Sequence, residues 1–214
     1  MNKNAFYPEL LDRLQDDYKF RYFYQCRERK VGVLPLMQKI KNNLLNLTNY
    51  GLSGESIRAF ADTIRKKDIF LTRVALENNG LKDEDFASLL EGLSRLLDIK
   101  SLIYVKNEFL MKSVEQIEPI LTFRSIPYHL EELRLVNCKI SSNALSALIN
   151  IFHSRNYLKR LGLVNLGMTE GALKQLTPFI QNSRYLIELD LSWNGFRAVK
   201  IADFIDAIGE NKQL

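Results

Sequence analysis

The sequence predicts an α/β solenoid, with short parallel strands lining an inner sheet and one helix per repeat on the outer layer. Two observations predict it. The first is a pattern met six times in 214 residues: leucine-like residues at positions 1, 4, 6 and 11, often with Asn or Cys at position 9. Clear copies are Leu71-Val74-Leu76-Asn79-Leu81, Ile99-Leu102-Tyr104-Asn107-Phe109, Leu130-Leu133-Leu135-Cys138-Ile140 and Leu186-Leu189-Leu191-Asn194-Phe196. First positions fall at residues 42, 71, 99, 130, 158 and 186, a spacing of 28 or 29 with one copy of 31. A period of that length means stacked repeats. The second observation is a change of periodicity inside each copy, from alternation to helical spacing.

Residues 1–41 stand outside this register. Leu10, Leu14, Tyr18 and Tyr22 recur every four residues, which predicts an amphipathic helix, although Tyr18-Lys19-Phe20-Arg21-Tyr22 also alternates like a strand. Gly32 and Pro35 break the pattern, and Leu36, Met37 and Ile40 predict a second short helix. The segment reads as a mainly helical cap over the first repeat's apolar edge, which a solenoid requires. The competing reading is a basic, aromatic-rich surface in which Arg21, Arg27, Arg29 and Lys30 meet an acidic partner such as tubulin or nucleic acid.

Charge bears on that choice. Residues 1–41 hold nine Lys/Arg and five Asp/Glu, whereas the remainder holds 21 and 20, so most of the net +5 sits in the N-terminal segment. An array that wraps nucleic acid should carry a positive stripe along its length. This one is nearly neutral, which argues against nucleic acid as its partner.

The six repeats span 42–70, 71–98, 99–129, 130–157, 158–185 and 186–213. In Leu133-Arg134-Leu135 the alternation puts both leucines on one face and Arg134 on the other. Position 9 turns the chain, and a polar side chain there can satisfy buried backbone groups of the adjacent turn. Asn79, Asn107 and Asn194 suit that role, and Cys138 is a smaller, weaker donor in the same place. Tyr50 and Leu166 depart from it, so local irregularity is expected at the first and fifth turns.

Helices are expected over 55–67, 83–97, 112–125, 169–181 and 199–209. In the fourth repeat, Ser141-Ser142-Asn143 supplies a cap ahead of Leu145, Leu148, Ile149 and Phe152. Pro119 and Pro178 share one repeat phase and should kink or split their helices. The extra length of the third repeat falls around Pro127. Leu214 stands at the first position of a seventh repeat, and the lack of a polar terminal cap predicts that the array continues past it.

No apolar run approaches the ~18 residues needed to span a bilayer, and Met1-Asn2-Lys3-Asn4 does not lead into a secretory hydrophobic core. Two cysteines, Cys26 and Cys138, cannot make a disulfide framework. Together these predict a soluble protein of a reducing, cytoplasmic compartment. No glycine cluster of the phosphate-binding kind occurs. His129 and His153, the only two histidines, have no Cys or carboxylate at metal-ligand spacing. The pair Glu131-Glu132 reads as solvated rather than catalytic. No metal, cofactor, small-molecule substrate or enzyme activity is expected.

The strand-then-helix repeat resembles the ribonuclease-inhibitor class of leucine-rich repeat proteins over residues 42–214. That resemblance implies a horseshoe segment and a binding surface, without fixing the task. Three further stretches resemble ciliary leucine-rich repeat proteins, including the leucine-rich repeat subunit of the nexin–dynein regulatory complex. They are Tyr24-Gln25-Cys26, Gly32-Val33-Leu34-Pro35 and Asn46-Leu47-Thr48-Asn49-Tyr50-Gly51-Leu52, with Leu191-Ser192-Trp193-Asn194 in the same vein. The resemblance implies a non-enzymatic axonemal scaffold whose partners are other subunits of a larger cytoskeletal complex. The GTPase-activating protein for Ran has the same repeat type. Likeness to it would imply catalytic help from Arg73, Arg134 or Arg160, since an arginine finger is the common device.

Alternation assigns positions 3, 5 and 7 of each repeat to the inner face, with position 8 at its edge. The candidate protein-binding residues are therefore Arg73, Glu77, Ile103, Val105, Glu132, Arg134, Val136, Arg160, Val164, Glu188, Asp190 and Trp193. Val105, Val136 and Val164 form an apolar row edged by charge, as interfaces do. Val136, Arg134, Arg160 and Trp193 are the expected anchors, because Trp and Arg dominate binding hot spots.

Overall fold

The computed structural model describes residues 17–52, 54–64, 69–122, 129–154, 157–197 and 201–214. Seven strands form one sheet in chain order: β1 (Ile40–Lys41), β2 (Leu44–Thr48), β3 (Arg73–Glu77), β4 (Ser101–Val105), β5 (Glu132–Val136), β6 (Arg160–Val164) and β7 (Glu188–Asp190). β1 runs antiparallel to β2, and every later pairing is parallel. The register Leu44↔Arg73, Arg73↔Ser101, Ser101↔Glu132, Glu132↔Arg160 and Arg160↔Glu188 keeps like positions of the repeat side by side. Strand alternation is the cause: positions 4 and 6, such as Val74, Leu76, Leu133 and Leu135, are fully buried, and a one-residue slip would bring them out to the solvent side.

A helix follows each repeat strand: α2 (Gly54–Ile64), α3 (Asp83–Leu93), α4 (Met111–Thr122), α5 (Ser142–Phe152), α6 (Glu170–Asn182) and α7 (Ala202–Glu210). Each packs on the next, and the core lies between this layer and the sheet. In its middle, Tyr104 stands at position 6 where other repeats have leucine. Its ring stacks on Phe86 of α3 at 3.6 Å, and its hydroxyl donates to the Glu108 carbonyl at 3.1 Å. Burial pushes that phenol's pKa well up.

Helix starts use different caps. Ser141 accepts from the Ala144 N–H, and Thr169 from the Ala172 N–H. α4 is capped from the neighbouring repeat: the buried Asp83 carboxylate accepts the N–H groups of Leu110, Lys112 and Ser113. α3 ends at Leu93, four residues short of expectation, in a tight turn closed by Arg95 N–H to the Gly92 carbonyl. The prolines do not split their helices, since α4 runs through Pro119 and α6 through Pro178. Each proline removes the bond to the carbonyl four residues back, on Glu115 and Lys174, and both of those residues are exposed. Water can satisfy a solvent-facing carbonyl, so the helices survive.

The N-terminal segment forms α1 (Tyr18–Glu28), which packs on α2 with Tyr22 and Cys26 buried. The strand reading of Tyr18–Tyr22 is excluded by this helix. The second helix expected at Leu36 is a single 3₁₀ turn (Leu36–Lys39), and Ile40 belongs to β1. The expectations for residues 1–16 and for the long third connection around Pro127 lie outside the described residues.

The six turns after the strands are alike. Position 8 is left-handed in all of them: Asn49, Asn78, Lys106, Asn137, Asn165 and Trp193 have φ between 49° and 63°. The irregularity expected at Tyr50 and Leu166 is absent, because each position-9 asparagine serves the turn before its own. Asn79 Oδ1 accepts the Tyr50 N–H, and Asn194 Oδ1 accepts the Leu166 and Met168 N–H groups. Each asparagine's Nδ2 donates back to the preceding repeat's position-6 carbonyl, on Leu47, Leu76 and Leu163. The Cys138 thiol donates to the matching carbonyl of Tyr104 at 3.2 Å. Between the third and fourth repeats, where this cysteine leaves acceptors missing, a backbone bridge joins Glu108 and Lys139.

Asn107 is buried and accepts from Asn79 and Leu81 while donating to Leu76 and Val105. Asn107→Ala removes the side-chain partner of the Asn79 and Leu81 amides and the Leu76 carbonyl, while the Val105 carbonyl keeps the Asn78 N–H, and should cost about 3 kcal/mol. Urea unfolding should show a larger loss there than for Asn194→Ala, whose turn is partly exposed.

Candidate functional site: the inner sheet face and its rim

Positions 3, 5 and 7 point away from the helices, as strand alternation requires, but they are less open than expected. Ser101, Gly162 and Val164 are buried, while Ile103, Val105, Glu132, Arg134, Val136 and Arg160 are half-buried. The valine row is therefore not a solvent-exposed strip. Val164 retains only 8% exposure. Arg73 on β3 and Glu188 on β7 are exposed.

The charged residues of this face bind one another. Ser101 donates to Glu132 at 2.6 Å, and Arg160 Nε lies 3.5 Å from the same carboxylate. Arg134 extends across β6 to the next strand, with Nη1 2.9 Å from Glu188 and Nη2 2.8 Å from Asp190. Gly162 makes this reach possible. A Cβ there would sit 3.2 Å from Arg134 Cγ and 3.3 Å from its Nε, so a side chain would press the arginine to shift by a few tenths of an ångström. Asp190 also accepts from the Ser192 hydroxyl, which, together with Arg134, holds its carboxyl below the usual range. Glu77 pairs with Lys106 at 3.5 Å on the rim. Of the three arginines open to a GTPase-activating role, two are engaged in these pairs and Arg73 alone is exposed.

The rim is formed by position 8, exposed in every repeat. Asparagines pair along it, Asn78 with Asn49 and Asn165 with Asn137, each at 2.6 Å. Sequence reasoning missed this row. Its signal was the recurrence of asparagine one position before the turn residue. Trp193 replaces it in the last repeat with 82% exposure and φ 63°.

The basic N-terminal residues divide. Arg21 is buried and donates to the Thr63 carbonyl, and Arg29 bridges Glu55 and Asp62. Both therefore tie α1 to α2. Arg27 and Lys30 are exposed.

Glu131 is not solvated: it lies against Lys159, Lys100 and His129. Burial opposes its charge, yet Lys159 and Lys100 hold its carboxyl below the ordinary range. Cys138 is pushed up to about 11 by burial, and the Cys26 thiol is raised for the same reason. Among the described residues, no group of three or more His, Cys, Asp or Glu side chains is placed to hold a metal, and no helix is long and apolar enough to cross a membrane.

A parallel sheet whose register repeats the sequence period, closed by asparagine turns and backed by one helix per strand, decides the architecture. The fold is a leucine-rich repeat solenoid. A family model described as Leucine Rich repeat matches residues 129–148 and 182–198 of it. No curated protein matches the chain. Among solved structures, the solenoid is similar to the Caenorhabditis elegans tropomodulin C-terminal domain, with a TM-score of 0.45 and 12% identity, over 91% of this chain and 92% of that one. It is also similar to leiomodin-1 actin-binding site 2, with a TM-score of 0.42 and 14% identity, over 81% of this chain and 86% of that one. Likeness at this level is one of outline, and no binding property carries over from it.

Two predictions follow from the geometry of this solenoid. A tryptophan in the left-handed region is strained, and Asn suits that region. Trp193→Asn should therefore raise stability by about 1 kcal/mol, read as a shift in the urea midpoint. His129 is buried against Tyr157 with Nδ1 unpartnered, and burial lowers its pKa below the ordinary 6.5. The unfolded chain then takes up the proton first. Stability is whole above 6.5 and declines as pH falls from there toward the folded value. His129→Phe should remove that slope between pH 7 and 5 in a series of unfolding curves.

Proposed function

We propose that this chain is a non-enzymatic protein-binding scaffold whose partner lies on the inner face and rim of the solenoid. Residues 1–41 act as its cap segment and 42–214 as the repeat array. The observation that carries this reading is the state of the inner face. Its charges are already paired with one another, around half-buried Ile103, Val105 and Val136, and Trp193 projects from the rim. A protein can cover such a surface without stranding most of its charges, which is the condition for a favourable interface. Arg73, Glu77, Glu132, Arg134, Arg160, Val164, Glu188 and Asp190 shape the surface, and Val136 and Trp193 are its apolar contacts.

The setting we propose is a cytoskeletal assembly, specifically a ciliary axoneme complex of the nexin–dynein regulatory kind. The support is the resemblance of the segments around Tyr24-Gln25-Cys26 and Gly32-Val33-Leu34-Pro35 to ciliary leucine-rich repeat proteins. The inward engagement of Arg21 and Arg29 favours a capping role for α1 over a basic contact surface.

Expression in ciliated cells tests this. The tagged chain should stay with detergent-extracted axonemes, and the double variant Val136→Lys, Trp193→Ser should wash out while keeping the parent's circular dichroism spectrum and cooperative melt. Release of the parent chain into the soluble fraction, or full retention of the folded variant, would overturn the reading.

A further inference from the structure

Trp193 is costly where it stands. It holds a left-handed backbone that asparagine fills in four other repeats, and it leaves 82% of itself in water. Its exposure belongs to its position in the repeat, since every residue at position 8 is exposed. No packing role in the solenoid accounts for it, and strain of this sort concentrates at binding surfaces.

The charge beside it specifies what it meets. Glu132, Arg134, Arg160, Glu188 and Asp190 form one patch with three carboxylates and two guanidinium groups, a balance of −1. The excess lies at the Trp193 end, where Glu188 and Asp190 share the single Arg134 and the Glu188 side chain is 49% exposed. Four strands away, on β3, the exposed Arg73 shares the face with Glu77, so that strand contributes no net charge. The charge excess of the face is thus acidic and lies in the repeat that carries Trp193.

We propose that this corner binds an extended, arginine- or lysine-bearing segment of a partner protein, with one cation over the Trp193 ring and a second against Glu188. This rests on the protein-binding reading above and adds the partner's chemistry. A cation is attracted to the face of an indole ring, and a guanidinium can hydrogen-bond a carboxylate oxygen. Alternate side chains of an extended segment share one face and lie ~6.6 Å apart, twice the strand rise. That spacing lets one short segment run from Glu188 to the rim. A second copy of this chain docked corner to corner is a poor occupant, because it would bring like charges together.

Trp193 is the only tryptophan in the sequence, so its fluorescence reports this corner alone. The probes are the end-blocked pentapeptide Arg-Leu-Arg-Leu-Arg and its counterpart Glu-Leu-Glu-Leu-Glu. The arginine peptide should shift and saturate the emission. Glu188→Gln should weaken that binding about five-fold, and about 0.5 M salt should abolish most of it. The glutamate peptide should leave the emission unchanged. Equal response to both peptides, no response to the arginine peptide, or a shift that tracks self-association of the protein would each overturn the proposal. If the corner is silent while the Val136→Lys, Trp193→Ser variant still leaves the axoneme, this inference fails and the scaffold reading stands.

Discussion

Each repeat strand of this protein ends with one residue forced into the left-handed region, and at the first, second and fifth turns the next repeat's asparagine bonds the freed amides. That turn is the constraint from which the rest follows. It reverses the chain at a fixed distance from positions 4 and 6, so the buried leucines stay level with one another across β2 to β7. Backbone amides that leave a strand inside a core must find partners there. Asn79, Asn107 and Asn194 provide acceptor and donor in one side chain, each facing the repeat before it. At these three turns stacking and turn closure are one event, because the asparagine that completes each belongs to the next repeat.

Much of this was legible in the sequence. The period located every repeat strand, because a leucine at position 4 or 6 has only one face to occupy. The role of Cys138 was legible for the same reason: sulfur at an asparagine position can still donate, as it does to Tyr104. The behaviour of Tyr50 and Leu166 was hidden, since their turns depend on Asn79 and Asn194 some 28 or 29 residues later. The helix over Pro119 and Pro178 was hidden too, because spacing does not reveal whether the orphaned carbonyl faces water.

The inner face shows where sequence reasoning runs short. Alternation placed Arg134, Arg160, Glu188 and Asp190 correctly on one side of the sheet. It could not say that they would bind one another, because side-chain reach depends on what stands between. The clue lay in reading position 5 across repeats, Arg134–Gly162–Asp190, where the missing Cβ opens a path. What was taken for a row of free anchors is a mostly satisfied network, and Trp193 is left as the large apolar group on its rim.

The reach of Arg134 over Gly162 also bears on how the array comes apart. Stacked repeats are ordinarily linked only to their immediate neighbours, so their stability is a sum of units and single interfaces, and ends can fray one unit at a time. Arg134 in the fourth repeat holds Glu188 and Asp190 in the sixth, skipping the fifth altogether. This adds a second-neighbour term to an otherwise one-dimensional chain. Loosening the sixth repeat then also releases the guanidinium that lies over Gly162, so the fourth repeat feels a change two units away.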